Sequence, residues 1–271
     1  VYVVGIGLHR YQSMSETNYV TLGLTAVREA LDNARITWPA VQSAYVGNVF
    51  IGMAAGPAML RYLGATGLAI AQVENASASG STAFRQAVIE VAGGFSDVAL
   101  AMGVDKPAMA SSGPAKAGVR GLVDGRVAPF THFAMLTQLY MEEHGATPEQ
   151  IAKVAVKNHR NGALNPYAQR QQVQTLEQVM AGPPISGVLT RLQCTPVGEG
   201  AAAVVVASED AIRRFGIAGD KPVRVTGSAS RSQRVYDDNT TFDANLTAET
   251  TELCLREAGL KPEQLDIVEL H

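Results

Sequence analysis

The sequence predicts an α/β fold that contains a duplicated unit, and three observations point to it. Short β-branched runs alternate with amphipathic helical stretches over residues 1–105, which is the order that layered α/β sheets produce. VYVVGIG at Val1 resembles VRVTGSA at Val223, an offset of 222 residues. Residues 30–48 resemble residues 254–271 at an offset of 224. Two segments that repeat in the same order indicate that strand, long helix, short loop and strand occur twice.

Hydrophobic periodicity predicts each element of the first unit in turn. Alternating β-branched residues predict strands, and apolar residues three or four apart predict helices. The run AIAQVENA at 69–76 is nearly continuous in apolar residues, which is typical of a strand buried on both faces. In a mostly parallel sheet we therefore expect strands at 1–7, 41–50, 69–76 and 97–105, with helices at 18–34, 56–67 and 81–94.

Residues 106–185 interrupt this alternation. The Gly-, Ala- and Pro-rich stretch 106–129 predicts an ordered loop, helices are predicted at 133–145 and 147–160, and 199–208 returns to the sheet. The counterpart of Asp105 would fall at about position 328, so we expect a fragment with an incomplete second unit. The predicted division is an N-terminal half at 1–105 plus 186–215, a loop insertion domain at 106–185, and the start of a C-terminal half at 220–271.

Composition excludes several functional classes. The net charge of −3 leaves no electrostatic footprint for nucleic acid, and no apolar run approaches the roughly 20 residues of a membrane span. The sequence contains no phosphate-cradling or dinucleotide glycine motif, and no Cys/His spacing that predicts a metal site. The N-terminal residues lack a signal-peptide pattern, and the only cysteines are Cys194 and Cys254. We therefore expect a cytoplasmic protein with structural thiols.

Four ordered motifs carry a family resemblance: VENASASGSTA at 73–83, KNHRNGALNPYAQ at 157–169, LQCTPVGEGAAAVVVAS at 192–208, and DIVELH at 266–271. With the duplicated unit, they resemble the thiolase superfamily, and within it the sterol-carrier or lipid-transfer-protein type. The resemblance implies layered α-β-α-β-α architecture and an acyl-CoA substrate. Coenzyme A is then part of the substrate, and no separate cofactor is implied.

The sequence departs from the family at Ser77, where the acyl-accepting cysteine falls. A serine nucleophile needs a general base within hydrogen-bond reach, and no motif marks a histidine as that base. The alternative is that the backbone N–H groups of residues 77–80, at the start of a helix, stabilise a thioester oxygen. In the simplest interpretation, Ser77 and Ser79 only cap the helix.

The remaining candidate site residues follow from the same comparison. His271 resembles the first residue of a family motif, where it would orient a water or polarise the substrate carbonyl; it is otherwise a polar strand terminus. Ser79 and Gly80 are candidates for binding the substrate. Lys116 and Arg120 belong to the basic, Gly-rich loop, which either meets the phosphates of coenzyme A or is a solvated surface.

The missing cysteine favours a steroid side-chain aldolase, one of the relatives that lack this thiol. Such a protein cleaves a β-hydroxyacyl-CoA by a retro-aldol reaction, releasing a steroid ketone and a short acyl-CoA, and needs no acyl-enzyme. The resemblance also implies a homodimer and a partner protein with an OB-fold and a zinc ribbon. Two alternatives stay open: a non-catalytic acyl-CoA or sterol binding protein, and a thiolase-type acyltransferase that uses Ser77.

Overall fold

A computed structural model of the chain describes residues 1–107, 129–217, 221–234 and 242–270. The fold is α/β, as predicted, and its described strands form a six-stranded and a two-stranded sheet. The strands are β1 (Tyr2–Gln12), β2 (Ser43–Gly47), β3 (Ala69–Val73), β4 (Val98–Asp105), β5 (Pro184–Ser186), β6 (Leu189–Thr190), β7 (Glu199–Ala207) and β8 (Val223–Arg224). The order in the large sheet is β3-β2-β4-β7-β1-β8, and β5 pairs with β6.

The helices lie where the periodicity predicts them, with small shifts at their ends. The predicted helix at 56–67 is shorter, because a 3-10 turn at Arg61–Leu63 and the left-handed Gly64 end it. The predicted loop at 106–129 lies almost entirely outside the described residues. The helices are α1 (Tyr19–Ala34), α2 (Ala55–Leu60), α3 (Ser79–Ala92), α4 (Pro129–His144), α5 (Pro148–Ala163), α6 (Leu176–Met180), α7 (Glu209–Phe215) and α8 (Phe242–Ala258).

The large sheet is mixed, which corrects the expectation of a mostly parallel one. Strand β2 pairs in parallel with β3 and β4, whereas β7 pairs antiparallel with both β4 and β1. The chain returns from the 106–185 segment as β7 and enters between β4 and β1 in the opposite direction. Strands β1 to β4 therefore still run the same way, because β1 and β4 are each antiparallel to β7.

Strand β3 lies at the edge of the sheet, so the prediction that it is buried on both faces is wrong. It pairs only with β2 among the described strands, and none of its five residues is buried. An apolar run reports that a strand avoids water in the working protein. It does not say whether the cover comes from the same chain.

Helices cover both faces of the sheet. On β4, Val98, Leu100 and Met102 pack in the same cluster as the buried residues of α1, whereas the intervening Ala99 and Ala101 pack with α3. This alternation follows from the two-residue period of a strand, which sends successive side chains to opposite faces. The result is the three-layer arrangement of helix, sheet and helix that the alternating sequence predicts.

The duplication is visible in the coordinates. Helix α1 ends at Ala34 and α8 ends at Ala258, and a three-residue 3-10 helix follows at Trp38–Ala40 and at Pro262–Gln264. Both pairs are 224 residues apart, as the sequence repeat requires. Residues 266–270, where the repeat predicts a strand, form none, because no described strand lies beside them to share hydrogen bonds.

Equivalent glycines let a strand touch a helix in both copies. A Cβ atom placed on Gly5 would lie 2.2 Å from the carbonyl oxygen of Ala30 in α1. In the second copy, a Cβ atom on Gly227 would lie 2.6 Å from the carbonyl oxygen of Cys254 in α8. The offsets are 222 and 224 residues. The division into 1–105 plus 186–215, 106–185 and 220–271 stays a prediction.

We predict that Gly5→Ala destabilises the protein by about 3 kcal/mol, because the new methyl group overlaps backbone that cannot move aside. Urea unfolding followed by circular dichroism measures the change. The matched control is Gly103→Ala in β4, where the nearest heavy atom to the new Cβ would be 3.5 Å away. Equal unfolding midpoints for the two variants would contradict the prediction.

Candidate functional site

The carboxyl ends of β1 to β4 meet at one edge of the large sheet. Strand β1 ends at Gln12, β2 at Gly47, β3 at Val73 and β4 at Asp105, and the antiparallel β7 begins at the same edge with Glu199. In open α/β sheets, ligands bind outside the carboxyl ends of the strands. This edge is therefore the candidate site, and the turn that carries Ser77 lies on it.

Ser79 holds the Ser77 turn in shape. Its buried hydroxyl accepts a hydrogen bond from the Asn75 N–H and donates one to the Ala76 carbonyl, both at 2.8 Å. Ala76 takes a left-handed conformation with φ of 45°, which is strained for a residue with a side chain. The interpretation of Ser77 and Ser79 as helix caps is wrong, because Ala78 is the N-cap and its side chain makes no cap hydrogen bond.

Glycines bring the first turn of α3 against the strands. A Cβ atom on Gly47 would lie 2.5 Å from the carbonyl oxygen of Ser79, and one on Gly103 would lie 3.5 Å from the Cα of Gly80. The helix therefore begins directly on the backbone of β2 and β4. Ser77 itself is exposed, one residue before the N-cap. The first N–H groups of a helix have no acceptor within it, so this turn presents donors at the carboxyl edge.

Asp105 fixes the loop that follows β2. Its two carboxylate oxygens accept hydrogen bonds from the N–H groups of Val49 and Phe50, each at 3.0 Å. One of these oxygens also accepts from the N–H of Lys106. The sequence placed Asp105 only as a strand end, because nothing in the pattern shows that two neighbouring strands finish side by side.

A buried ion pair lies beside this loop. The carboxylate of Glu199 is inaccessible to solvent and accepts hydrogen bonds from Lys106 Nζ at 2.6 Å, Ser15 Oγ at 2.6 Å and Gln12 Nε2 at 2.8 Å. Burial by itself raises the pKa of Glu199, but these hydrogen bonds outweigh it and lower the pKa to about 2. The sequence assigned Lys106 to the basic loop and gave Glu199 no role. A lone acidic residue opening an apolar strand was the available signal.

The motif at 157–169 joins the helices of the 106–185 segment to β1 and β7. His159 is buried and its Nε2 is 3.1 Å from the Leu192 carbonyl oxygen, which agrees with the structural role expected of it. Tyr167 donates its hydroxyl to Glu29 of α1 at 3.2 Å. Gln169 donates to Ser13 Oγ at 3.0 Å, just after β1.

A cleft of about 560 Å³ opens between this motif and the segment before β7. The phenol of Tyr11 lies in its wall, and burial together with the charge of Asp105 raises the pKa of Tyr11 above its ordinary value. Tyr11 also stacks beside Gly198 and Gly200, where a Cβ atom would come within 2.8 Å of its ring. The glycines of the GEGAAA run therefore make room for this tyrosine.

The structure places the candidate residues in two groups. Ser77, Ser79 and Gly80 lie together on one turn at the carboxyl edge. His271, Lys116 and Arg120 lie outside the described residues, so their roles stay predictions.

The two cysteines lie away from that turn. Cys254 lies in α8 against Gly227, and Cys194 borders the cleft. In the part of the chain that the structure describes, no three His, Cys, Asp or Glu side chains gather as a metal site would require. None of the described helices is long and apolar enough to cross a membrane.

Comparison with known proteins agrees with the site. Residues 4–178, more than half of the chain, match the thiolase N-terminal domain family. The chain belongs to the thiolase superfamily. It is 39% identical to the benzoylsuccinyl-CoA thiolase subunit BbsB of Thauera aromatica and 34% identical to sterol carrier protein 2 of Gallus gallus. The whole chain aligns with both, but it spans 71% of the first protein and only 53% of the second.

Solved structures show the same fold. The Ltp2-ChsH2(DUF35) aldolase superposes with a TM-score of 0.77 at 20% identity, covering 96% of this chain and 70% of that one. Human mitochondrial 3-ketoacyl-CoA thiolase superposes with a TM-score of 0.74 at 17% identity, covering 98% of this chain and 78% of that one. The predicted thiolase-like fold and the resemblance to the lipid-transfer branch are confirmed.

We predict that Glu199 makes stability depend on acid pH. Because folding lowers the pKa of Glu199 from 4.5 to about 2, its contribution is fully present above pH 4.5 and is lost as the pH falls toward 2. A shift of this size corresponds to about 3 kcal/mol. Glu199→Gln should therefore destabilise the protein by about 3 kcal/mol at pH 7 and flatten the pH dependence.

Urea unfolding at pH 7, 4.5 and 3 measures both effects. The control is Glu209→Gln, which breaks an exposed pair with Arg213 at 3.0 Å on α7. Exposed pairs contribute roughly 0–1 kcal/mol, so this variant should follow the unchanged protein at every pH. Parallel pH profiles for the unchanged protein and Glu199→Gln would contradict the assigned role of Glu199.

Proposed function

We propose that the protein cleaves a carbon–carbon bond of a β-hydroxyacyl-CoA by a retro-aldol reaction. The proposed substrate is a steroid side-chain CoA thioester, and the products are a steroid ketone and a short acyl-CoA. The observation that carries the proposal is the turn at 75–79, which keeps its hydrogen bonds and its glycine contacts while Ser77 stands where the family's cysteine falls. Thiolase membership supports an acyl-CoA substrate.

The turn fits this chemistry because a retro-aldol step needs no covalent intermediate. A base removes the β-hydroxyl proton, the oxygen forms the ketone, and the Cα–Cβ bond breaks. The bonding electrons move into the thioester as an enolate, and protonation at Cα yields the short acyl-CoA. N–H groups in the first turn of α3, together with the helix dipole, would stabilise the enolate oxygen.

The proposed base and acid are not among the groups that touch Ser77. Described contacts of the histidines lead elsewhere: His9 Nδ1 is 2.8 Å from the Arg10 carbonyl oxygen, and His159 contacts Leu192. Without a histidine at hydrogen-bond distance, the Ser77 hydroxyl lacks the activation that a serine nucleophile requires. We assign the role of polarising the thioester carbonyl or orienting a water to His271.

A thiolase-type acyl transfer is the second candidate. Identity of 39% to a protein named as a thiolase subunit favours it. In that case Ser77 would have to accept the acyl group, and intact-protein mass spectrometry after incubation with acetoacetyl-CoA would detect an acyl adduct on it. A non-catalytic acyl-CoA or sterol binding protein is the third, and it would bind the thioester without forming any product.

We further propose a cytoplasmic homodimer that works with a second protein. The exposed edge strand β3 has unpaired backbone groups on its outer side, which supports pairing with another copy. The structural likeness to the Ltp2-ChsH2(DUF35) aldolase supports a partner with an OB-fold and a zinc ribbon. This partner would be required for turnover.

The direct test is product formation from a steroid β-hydroxyacyl-CoA with and without the partner protein, followed by mass spectrometry of the short acyl-CoA. We predict turnover with the partner present. Intact substrate after prolonged incubation of the complex would sink the aldolase proposal. If the thioester nevertheless binds, the non-catalytic alternative would stand.

A matched pair of serine variants separates the side chain of Ser77 from the turn. We predict that Ser77→Ala retains turnover within a few-fold, since its hydroxyl takes no part. Ser79→Ala should lower turnover by at least about 10-fold, because it removes the hydrogen bonds that hold Asn75 and Ala76. Loss of activity in Ser77→Ala together with an acyl adduct on the unchanged protein would favour acyl transfer instead.

A further inference from the structure

Arg170 occupies the cleft between the 157–169 motif and β7 without an acidic partner. It lines both the cleft of about 560 Å³ and an adjoining cavity of about 360 Å³. One guanidinium nitrogen, Nη1, donates to the carbonyl oxygen of Cys194 at 2.9 Å. In the described part of the chain, no carboxylate lies within 4.0 Å of this guanidinium. An arginine has five N–H donors, so most of its capacity remains for a ligand.

The charges around Arg170 make its position unfavourable in the absence of an anion. Arg191 is close enough that its positive charge, after burial, lowers the pKa of Arg170. Arg10 reaches the same wall and donates to Gln171 at 3.3 Å. Glu269 also borders the cleft, but not at ion-pair distance from Arg170. Partly buried like charges with no counterion are a feature of binding sites more than of structural ones.

A second observation comes from Gln169, whose side chain lines both cavities beside Arg170. Its amide nitrogen donates to Ser13 and to the Val197 carbonyl, at 3.0 and 3.2 Å. Its Oε1 is buried and has no hydrogen-bond partner among the described residues. Buried acceptors are nearly always satisfied, so a vacant one beside a free guanidinium indicates a missing donor group. A ligand with an N–H or O–H next to its anionic group would satisfy both.

We propose that the cleft at Arg170 binds an anionic oxygen group of the acyl-CoA ligand, with Gln169 accepting a hydrogen bond from the same ligand. This inference rests on the proposed acyl-CoA substrate and adds a specificity determinant to it. The planar guanidinium suits both chemical sources of such a group: a carboxylate on the acyl chain or a phosphate of coenzyme A. The acyl portion or the nucleotide portion of the ligand would then lie along the 157–169 motif.

Isothermal titration calorimetry with four probes distinguishes the two sources. The probes are succinyl-CoA, its uncharged counterpart butyryl-CoA, coenzyme A, and pantetheine, which lacks the nucleotide phosphates. If Arg170 binds an acyl carboxylate, succinyl-CoA should bind about 10-fold more tightly than butyryl-CoA, and Arg170→Gln should abolish that difference. If it binds a phosphate, Arg170→Gln should weaken the three CoA compounds by about 10-fold and leave pantetheine unchanged.

Two further variants keep the result interpretable. Arg170→Lys retains the charge and should keep part of the discrimination, which loss of folding would not do. Arg213→Gln removes an exposed arginine of α7, 66% accessible, and should bind all four probes like the unchanged protein. Thermal unfolding of each variant confirms that it is folded.

The possible failures are distinguishable. If Arg170→Gln binds every probe with unchanged affinity, the inference about Arg170 is overturned while the proposed function stands. If the unchanged protein binds none of the CoA compounds, both are overturned. Product formation without any effect of Arg170→Gln on affinity or discrimination would confine the failure to this inference.

Discussion

At three glycines, helices of this protein lie against the backbone of the sheet itself, with no side chain between them. Gly5 meets α1, Gly47 meets the start of α3, and Gly227 meets α8. A Cβ atom at any of them would come within 2.6 Å of a backbone carbonyl oxygen or closer. Interiors are close-packed and transmit such overlaps, so these contacts decide how far each helix stands from its strand.

The contact at Gly47 has a functional consequence. It places the first turn of α3 at the carboxyl edge of β2 and β4, where the loops after four parallel-running strands converge. Ser79 then holds the preceding turn by two hydrogen bonds, and Asp105 holds the neighbouring loop by three. An exposed Ser77 on so constrained a turn keeps the backbone of a thiolase site after its thiol is gone. Retention of the turn favours chemistry that uses N–H donors over chemistry that uses a nucleophile.

Polar groups around this edge are arranged in a buried network and an open cleft. Glu199 and Lys106 form a desolvated pair that Ser15 and Gln12 complete, so the pair holds the ends of β1, β4 and β7 together. Arg170, by contrast, keeps most of its donors unused. The difference separates the two arginine- and lysine-bearing regions by purpose: the first is satisfied within the protein, and the second requires a ligand.

The sequence alone determined the α/β class, the order of elements, the repeat at 222–224 residues and the Ser77 turn, because these depend on local periodicity and on residues adjacent in the chain. Only the tertiary structure decided that β7 enters between β4 and β1, that β3 is an edge strand, and that Glu199 pairs with Lys106 across 93 residues. The Arg170 cleft belongs with them. Strand order, burial and charge pairing depend on which distant segments become neighbours, and periodicity carries no information about that.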